Sequence, residues 1–286
     1  MTNKNTIDYG KGALESSYDI RDYWYEPRDR GSFDWDTGFD IEKQLGVKLV
    51  VKDQNGSGSC GGQAWAYYGE VLEAVATGTY EPCSARWIYA HTRVAPAGSR
   101  GKDNCDHVVK KGLVLEAHAT SYDKGKAPKE SFMSVIPELS KEAQEYAEVS
   151  RGLSYLKITT NIELIAQAIE ENHGCILSVQ GADNGTWRSK FPKPPVTKEW
   201  GHWLYAGKVK MIKGKKHIGV INSWGSDTGD HGWQWISEDY FATGNIREGW
   251  TLAWDYQPAK TKVVLKQVIA LLTKVVDLYK QLNQLK

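Results

Sequence analysis

The stretch Asp53-Gln-Asn-Gly-Ser-Gly-Ser-Cys60 runs directly into Gly61-Gly-Gln-Ala-Trp-Ala-Tyr-Tyr-Gly-Glu-Val-Leu-Glu-Ala-Val-Ala76. In the second part, apolar residues recur at helical spacing, which predicts a helix over residues 62–76 that Thr77-Gly78 closes. Cys60 then stands at a helix start, where free backbone N–H groups and the helix dipole favour a negative charge on its sulfur. Because the thiolate is the reactive form of cysteine, Cys60 is a candidate nucleophile.

The remaining chain divides into a mainly helical part and a mainly β part. Further helices are predicted over residues 84–93, 103–111 and 161–171, with Ser84 and Asn161 as N-caps and with Gly112 and Gly174 as terminators. Strands are predicted over residues 175–180, 202–212 and 217–222. The expected fold class is therefore α+β, with a helical half over about residues 50–150 and a strand-rich half over about residues 151–256.

Lys213-Gly-Lys215 predicts a hairpin turn between the last two strands. A hairpin brings the outer ends of its two strands together, so His202 and Asn222 are predicted to be neighbours in space. The thiol on the helical half and the imidazole on the β half would then meet in a cleft between the halves, which is a common place for a ligand site.

Three ordered blocks resemble the papain family of cysteine peptidases, particularly its shorter bacterial and viral branch. In the first block, Gln54 stands six residues before Cys60, the spacing at which that family places its oxyanion-binding glutamine. The second block, Gly201-His-Trp-Leu-Tyr-Ala-Gly207, is similar to the family's Gly-His and apolar strand. The third, Asn222-Ser-Trp-Gly225, is followed by Gly229-Asp-His-Gly-Trp233 and is similar to Asn-Ser-Trp-Gly and Gly-Asp-Asn-Gly-Tyr. The resemblance covers roughly residues 33–253.

The resemblance implies a papain-like fold, with a helical half, an antiparallel β-barrel-like half and the active site between them. It also implies a thiolate–imidazolium pair of Cys60 and His202, attack on a peptide carbonyl, an acyl-enzyme on Cys60 and hydrolysis by water. Asn222 would accept the other imidazole N–H and fix the tautomer, and Trp224 would cover that bond. Gln54 and the Cys60 N–H would bind the oxyanion, where one lost donor costs about 3–4 kcal/mol. No cofactor or metal is implied.

The chain departs from the best-known members of the family directly after the nucleophile, where Gly61 replaces a tryptophan. Aligning Cys60 instead with the disulfide-forming cysteine of that motif would put the catalytic position near Gln63 and leave an inactive peptidase-like fold. The spacing from Gln54 and the Gly-Ser-Cys context favour Cys60 as nucleophile. Thr228 replaces the second tryptophan of the asparagine block, which predicts less aromatic cover over the asparagine.

Two other histidines are weaker candidates. His217 stands five residues before Asn222 on one predicted strand, too far along it for a mutual contact. Cys105-Asp-His107 has no second ligand pair at metal-binding spacing, so a metal site is not expected there.

The stretch Gly98-Ser-Arg-Gly101 matches the family's substrate-lining glycine strand poorly and predicts no side-chain preference.

Both ends of the chain lie outside the predicted peptidase region of residues 33–256. Residues 1–32 show no steady period and are read as an extended arm, with partial disorder as the alternative. One hypothesis is that this arm lies across the cleft and restrains activity. Residues 257–261 are a predicted linker to residues 262–286, whose apolar positions 264, 268, 271, 275, 278, 282 and 285 form a coiled-coil seam. The seam favours a parallel dimer, with a higher oligomer or docking to an assembly partner as further expectations, and a helix folded back on its own domain is the alternative.

Composition sets limits on function. The 286 residues are 41% hydrophobic and 25% charged with a net charge of +1, which fits a full core and predicts neither nucleic-acid nor membrane binding. The polar N-terminus predicts cytoplasmic synthesis without a signal peptide, and incorporation into a viral or other large assembly is a further hypothesis. Reduced thiols are expected, although the sequence leaves one disulfide among Cys83, Cys105 and Cys175 open.

Three functions follow in order of support. The first is a peptidase acting on a protein or peptide substrate. The second is a catalytically inactive, peptidase-like binding or structural module held in an assembly by its C-terminal helix. The third is a cell-wall amidase of the NlpC type, which shares Cys and His but is not expected to carry Asn-Ser-Trp-Gly.

Overall fold

The computed structural model describes residues 11–19, 22–28, 31–125, 129–150 and 154–253, together with 271, 272, 274 and 275. The helices of the described residues are α1 (Ile41–Leu45), α2 (Cys60–Thr77), α3 (Ala85–Thr92), α4 (Gly101–Lys111), α5 (Glu130–Met133), α6 (Lys141–Val149), α7 (Ile162–Asn172) and α8 (Glu238–Ala242). The strands are β1 (Ala13–Leu14), β2 (Phe39–Asp40), β3 (Ser99–Arg100), β4 (Ser154–Ile158), β5 (Cys175–Gly181), β6 (Trp200–Ile212), β7 (Lys215–Ile221), β8 (Trp233–Ser237) and β9 (Ile246–Ala253). The predicted mixture of helices and antiparallel strands is confirmed.

The predicted helix starts and ends follow their capping residues closely. Ser84 accepts a hydrogen bond from the Trp87 N–H at the start of α3, and Asn161 caps α7 in the same way through its Oδ1. Gly78 ends α2 in the left-handed conformation, with φ of 70°. The predicted end of α7 is shifted, because His173 rather than Gly174 takes the left-handed position, with φ of 59°. Its carbonyl accepts a hydrogen bond from Tyr205, which holds the chain in that turn.

Seven strands form one antiparallel sheet in the order β4-β9-β5-β6-β7-β8, with β2 added to β6. Lys213 and Gly214 both have positive φ, of 50° and 75°, and form the tight turn between β6 and β7. This turn places Tyr205 opposite Ile221. The predicted approach of His202 to Asn222 at the far end of this hairpin is therefore confirmed.

The core has two layers because side chains alternate across the sheet. On β6, Trp203 and Tyr205 face the cluster that contains α2, whereas Leu204 and Ala206 face the cluster that contains α7. Trp65 of α2 packs edge-on against Trp203 with ring centroids 5.3 Å apart. The start of α2 is thereby held beside the strand that carries His202.

Most of the predicted coiled coil lies outside the described residues. Positions 271, 272, 274 and 275 are helical, and Leu271, Leu272 and Val275 are exposed. The heptad seam and the oligomer that it predicts remain predictions. Among the described residues, no helix has both the length and the apolar character that crossing a membrane requires.

All four cysteines are unpaired and buried. The expected reduced state of Cys83, Cys105 and Cys175 is confirmed, and the disulfide that the sequence left open does not form. His107 is also buried, and the part of the chain that is described holds no group of three or more His, Cys, Asp or Glu side chains suited to a metal ion.

Candidate active site

Cys60 is the first residue of α2 and is fully buried. Four backbone N–H groups lie close enough to its sulfur to favour a negative charge on it: those of Trp203, Gly12, Gly61 and Cys60 itself. Burial nevertheless raises the pKa of the Cys60 thiol to about 11, because it outweighs these donors. The contact with Trp203 brings the sulfur next to the backbone of His202. In the conformation described here, the thiol is protonated at neutral pH.

Gly61 is required by the packing around the start of α2. A Cβ atom at this position would lie 2.2 Å from Ser99 Oγ and 2.6 Å from Asn104 Nδ2. These two side chains are hydrogen-bonded to each other at 3.0 Å. The polar pair therefore occupies the space next to the helix backbone, which explains why no larger residue follows Cys60.

His202 and Asn222 are both fully buried and hydrogen-bonded, with Nε2 and Oδ1 2.9 Å apart. Asn222 Oδ1 also accepts the Ser223 backbone N–H at 2.7 Å. An atom that accepts from a backbone N–H must be the carbonyl oxygen, so Nε2 of His202 carries the proton in this bond. Nδ1 of the neutral ring is then the free base, and it has no hydrogen-bond partner among the described residues.

A glutamine that sequence reasoning missed orients the asparagine. Gln234 of β8 accepts a hydrogen bond from Asn222 Nδ2 at 2.8 Å through its own Oε1. Its Nε2 donates to the carbonyl of Trp187 at 2.6 Å. Gln234 is fully buried, so the chain of bonds continues without water from the backbone of Trp187 to the ring of His202. Its only sequence signal is its position on the strand that follows the asparagine block.

Tryptophan rings pack around His202. The ring of Trp224 lies 4.6 Å from that of His202, and Trp187 and Trp200 meet Trp224 edge-on at 6.3 and 5.7 Å. Thr228 supplies no ring, whereas Trp187 and Trp200, which come from other parts of the chain, pack against Trp224. Burial lowers the pKa of His202 to about 4, although its bond to Asn222 acts in the opposite direction.

Gln54 is fully buried beside the cysteine loop. Its Nε2 donates to the carbonyl of Ser57 at 2.6 Å, and its Oε1 accepts from Ser223 Oγ at 2.5 Å. The Gln54 backbone N–H donates to the carbonyl of Ser223 at 2.9 Å. Gln54 therefore ties the loop before Cys60 to the residue after Asn222, so all four predicted site residues lie in one region.

The two alternative catalytic positions, His217 and Gln63, make other contacts. His217 Nδ1 contacts the carbonyl of Lys215 at 2.9 Å, and its strand position faces Lys210 and Ser237. Gln63 is one turn into α2, where its Nε2 donates to Ser59 Oγ at 3.3 Å. Of Cys60 and Gln63, it is Cys60 that meets the backbone next to His202.

Part of the N-terminal arm lies directly over Cys60. The Gly12 N–H lies next to the sulfur, and the Gly12 carbonyl accepts the Ser99 N–H at 2.8 Å. Ala13 and Leu14 continue as β1, paired in parallel with Ser99 and Arg100. The arm therefore covers the sulfur.

Several polar contacts anchor the arm on both sides of this crossing. The Ser16 N–H donates to Glu248 Oε1 at 2.8 Å, and Asp22 pairs with Lys102 at 2.5 Å. Two more exposed ion pairs, Lys11 with Asp183 and Glu15 with Arg247, flank Gly12 to Leu14 at 2.5 Å each. Exposed pairs of this kind contribute about 0–1 kcal/mol each, so strand pairing and burial hold the arm more than its charges do.

Comparison with known proteins identifies the architecture. No protein-family model matches the sequence, and no curated protein matches it by sequence. Solved structures do match: xylellain, a cysteine protease from Xylella fastidiosa, superposes with a TM-score of 0.69 at 18% identity, covering 88% of this chain and 98% of that one. The fold is that of papain-like cysteine proteases.

Other similar structures extend this likeness. Digestive procathepsin L 3 of Tenebrio molitor has a TM-score of 0.63 at 14% identity, over 87% of this chain and 77% of its own. Bromelain from Ananas comosus, in complex with the E64 inhibitor, has a TM-score of 0.58 at 18% identity, over 76% of this chain and 99% of its own. The papain-like fold expected from the three sequence blocks is confirmed.

Proposed function

We propose that this papain-like chain is a cysteine peptidase that hydrolyses peptide bonds, with Cys60 as nucleophile and His202 as general base. The observation that carries the proposal is the orientation of His202. Asn222 holds its Nε2–H, which leaves the basic Nδ1 free beside the backbone that contacts the Cys60 sulfur. A buried imidazole with one nitrogen fixed and the other unpartnered is the arrangement that a thiol nucleophile requires.

The reaction follows from these positions once the arm is displaced. His202 Nδ1 takes the Cys60 proton, and the sulfur attacks the peptide carbonyl carbon. The resulting oxyanion is bound by the Cys60 N–H and the Gln54 amide, which must turn from the Ser57 carbonyl to reach it. His202 then gives its proton to the departing amine, leaving a thioester on Cys60. Water, deprotonated by His202, hydrolyses the thioester and restores the thiol.

The position of the arm over Cys60 supports a latent form of this enzyme. With the arm in place, burial holds the thiol and the imidazole in their neutral forms, with pKa values of about 11 and about 4. Displacing the arm would let water reach both groups, which lowers the cost of charging them and favours the ion pair.

An inactive module remains the second candidate, because no hydrogen bond joins His202 Nδ1 to Cys60 within the described residues. Labelling the full-length protein with a peptidyl epoxysuccinate at neutral pH separates the two. The peptidase proposal predicts that Cys60 reacts faster than Cys83, Cys105 and Cys175, as peptide mapping would show, and that Cys60→Ala abolishes hydrolysis of a casein substrate. Equal labelling of the four cysteines, with no more casein hydrolysis by the wild type than by Cys60→Ala, would favour the inactive module.

A further inference from the structure

Two glycine backbones form the wall on which the arm crosses the cleft. A Cβ atom on Gly12 would lie 2.1 Å from the carbonyl oxygen of Gly58 and 2.9 Å from the Cα of Gly98. The two wall residues are themselves in contact, since a Cβ atom on Gly58 would lie 2.6 Å from the Gly98 nitrogen. An extended chain can approach this wall closely because neither glycine carries a side chain.

One carboxylate joins both glycines. Gly58 donates its N–H to Glu130 Oε2 at 2.8 Å. The Tyr89 hydroxyl donates to Glu130 Oε1 at 2.8 Å and accepts the Gly98 N–H at 3.0 Å. Arg93 Nε also donates to Glu130 Oε1, at 2.7 Å. We call Glu130, Tyr89 and Arg93 the carboxylate clamp.

The clamp depends on the charge and the acceptor atoms of Glu130. Each partner of the side chain is a donor: a backbone N–H, a phenol O–H and a guanidinium N–H. A carboxylate accepts from all three, whereas the amide of a glutamine of the same shape would turn its NH₂ group against one of them. Hydrogen bonds to an ionised acceptor are also shorter and stronger than neutral ones.

We propose that Glu130 is a positioning residue for peptide binding, a role that rests on the proposed peptidase function. Through the clamp, it holds Gly58 and Gly98 at the spacing that receives an extended peptide backbone beside Cys60. Glu130 contacts neither the thiol nor the imidazole in any hydrogen bond of the described residues. Its loss therefore weakens recognition of a peptide and leaves the reactivity of the sulfur in place.

The test compares two reagents on full-length protein. Iodoacetamide needs only a reactive thiol, whereas a peptidyl epoxysuccinate must also lie along the cleft wall. Both require the same displacement of the arm and the same thiolate. The ratio of their second-order rate constants at Cys60 therefore removes these shared steps and reports peptide recognition alone.

Glu130→Gln is expected to lower the epoxysuccinate-to-iodoacetamide ratio about ten-fold, the size expected for a lost hydrogen bond to a charged group. The control Glu138→Gln makes the same chemical change at an exposed glutamate and should keep the wild-type ratio. Tyr89→Phe, which removes the link to Gly98, should lower the ratio as well. Adding it to Glu130→Gln should cost less than the two separate losses combined, because both act in one network.

The outcomes separate the two proposals. A wild-type ratio in both Glu130→Gln and Tyr89→Phe would overturn the positioning role while leaving the peptidase proposal standing. A lower melting temperature with an unchanged ratio would likewise show a purely structural residue. If the epoxysuccinate labels Cys60 of the wild type no faster than it labels the other three cysteines, the peptidase proposal fails. The role of Glu130 then fails with it.

Discussion

At the scale of single residues, the charge state of His202 depends on its burial. Its ring is enclosed by Trp224, Asn222 and the arm, whose Lys11 also disfavours a positive charge on it. The ring is consequently neutral down to a pH of about 4, since its pKa is lowered to that value. Catalysis by an imidazolium would require this environment to open.

The lowered pKa of His202 predicts a loss of stability in acid. In the unfolded chain the imidazole has its usual pKa of about 6.5 and binds a proton before the folded form does. The contribution of the neutral ring is therefore complete above that pH and is lost as the pH falls towards 4. Between pH 7 and pH 4.5 the wild-type protein should lose about 2 kcal/mol more unfolding free energy than His202→Gln.

Urea unfolding at the two pH values measures this difference. His231→Gln, at an exposed histidine, is the control and should lose as much stability as the wild type. Equal losses for wild type and His202→Gln would mean that the imidazole does not titrate below its usual range in the folded protein.

At the scale of elements, the first turn of α2 packs closely against β3 and the first turn of α4. Gly61 contacts Ser99 and Asn104 across this junction, and Ser99 also receives the arm through its backbone. The helix start that presents Cys60 and the strand that binds the arm are thus packed against each other. A side chain at position 61 would collide with Ser99 and Asn104 at this junction.

Gly61→Ala tests this junction. The new methyl group would meet Ser99 Oγ at 2.2 Å, so we expect a loss of about 1–3 kcal/mol in unfolding free energy. Ser99→Ala removes that oxygen, and the double variant should be less destabilised than the sum of the two single variants. Chemical denaturation of the four proteins in this cycle gives the coupling energy. Additive effects would show that the junction relaxes without cost.

At the scale of the whole molecule, the arm connects regions that are distant in sequence. Gly12 lies against the helix start at Cys60, Ser16 bonds to Glu248 of β9, and Tyr25 donates to Glu171 of α7 at 2.8 Å. The arm therefore packs along the molecule before it reaches β2. Its crossing over the sulfur supports the hypothesis that it restrains the proposed activity.

Deletion of residues 1–30 should raise the rate of Cys60 labelling by a peptidyl epoxysuccinate at least about ten-fold, since about 1.4 kcal/mol of arm binding already gives that factor. Deleting only residues 1–10 keeps Gly12 and β1 and provides the control, which should label at the full-length rate. Unchanged labelling and peptide turnover after the longer deletion would contradict the hypothesis that the arm restrains activity.

The sequence by itself determined the helices and strands that position Cys60, His202 and Asn222. Apolar spacing and capping residues predicted α2, α3 and α7, because helix formation depends on side chains three or four positions apart. The hairpin turn at Lys213 and Gly214 brought His202 to Asn222, because a tight turn specifies strand register locally. The position of Cys60 at a helix start was enough to name it as a candidate, and the resemblance to the papain family named Gln54.

Only the tertiary structure decided what surrounds these residues. Gln234 orients Asn222, Trp187 and Trp200 pack against Trp224, and Gly12 lies next to the thiol, yet each comes from a separate part of the chain. Such contacts join side chains whose sequence separation follows no helical or strand period. They form when the sheet and the helices pack together, and that packing also sets the burial that keeps the thiol and the imidazole neutral.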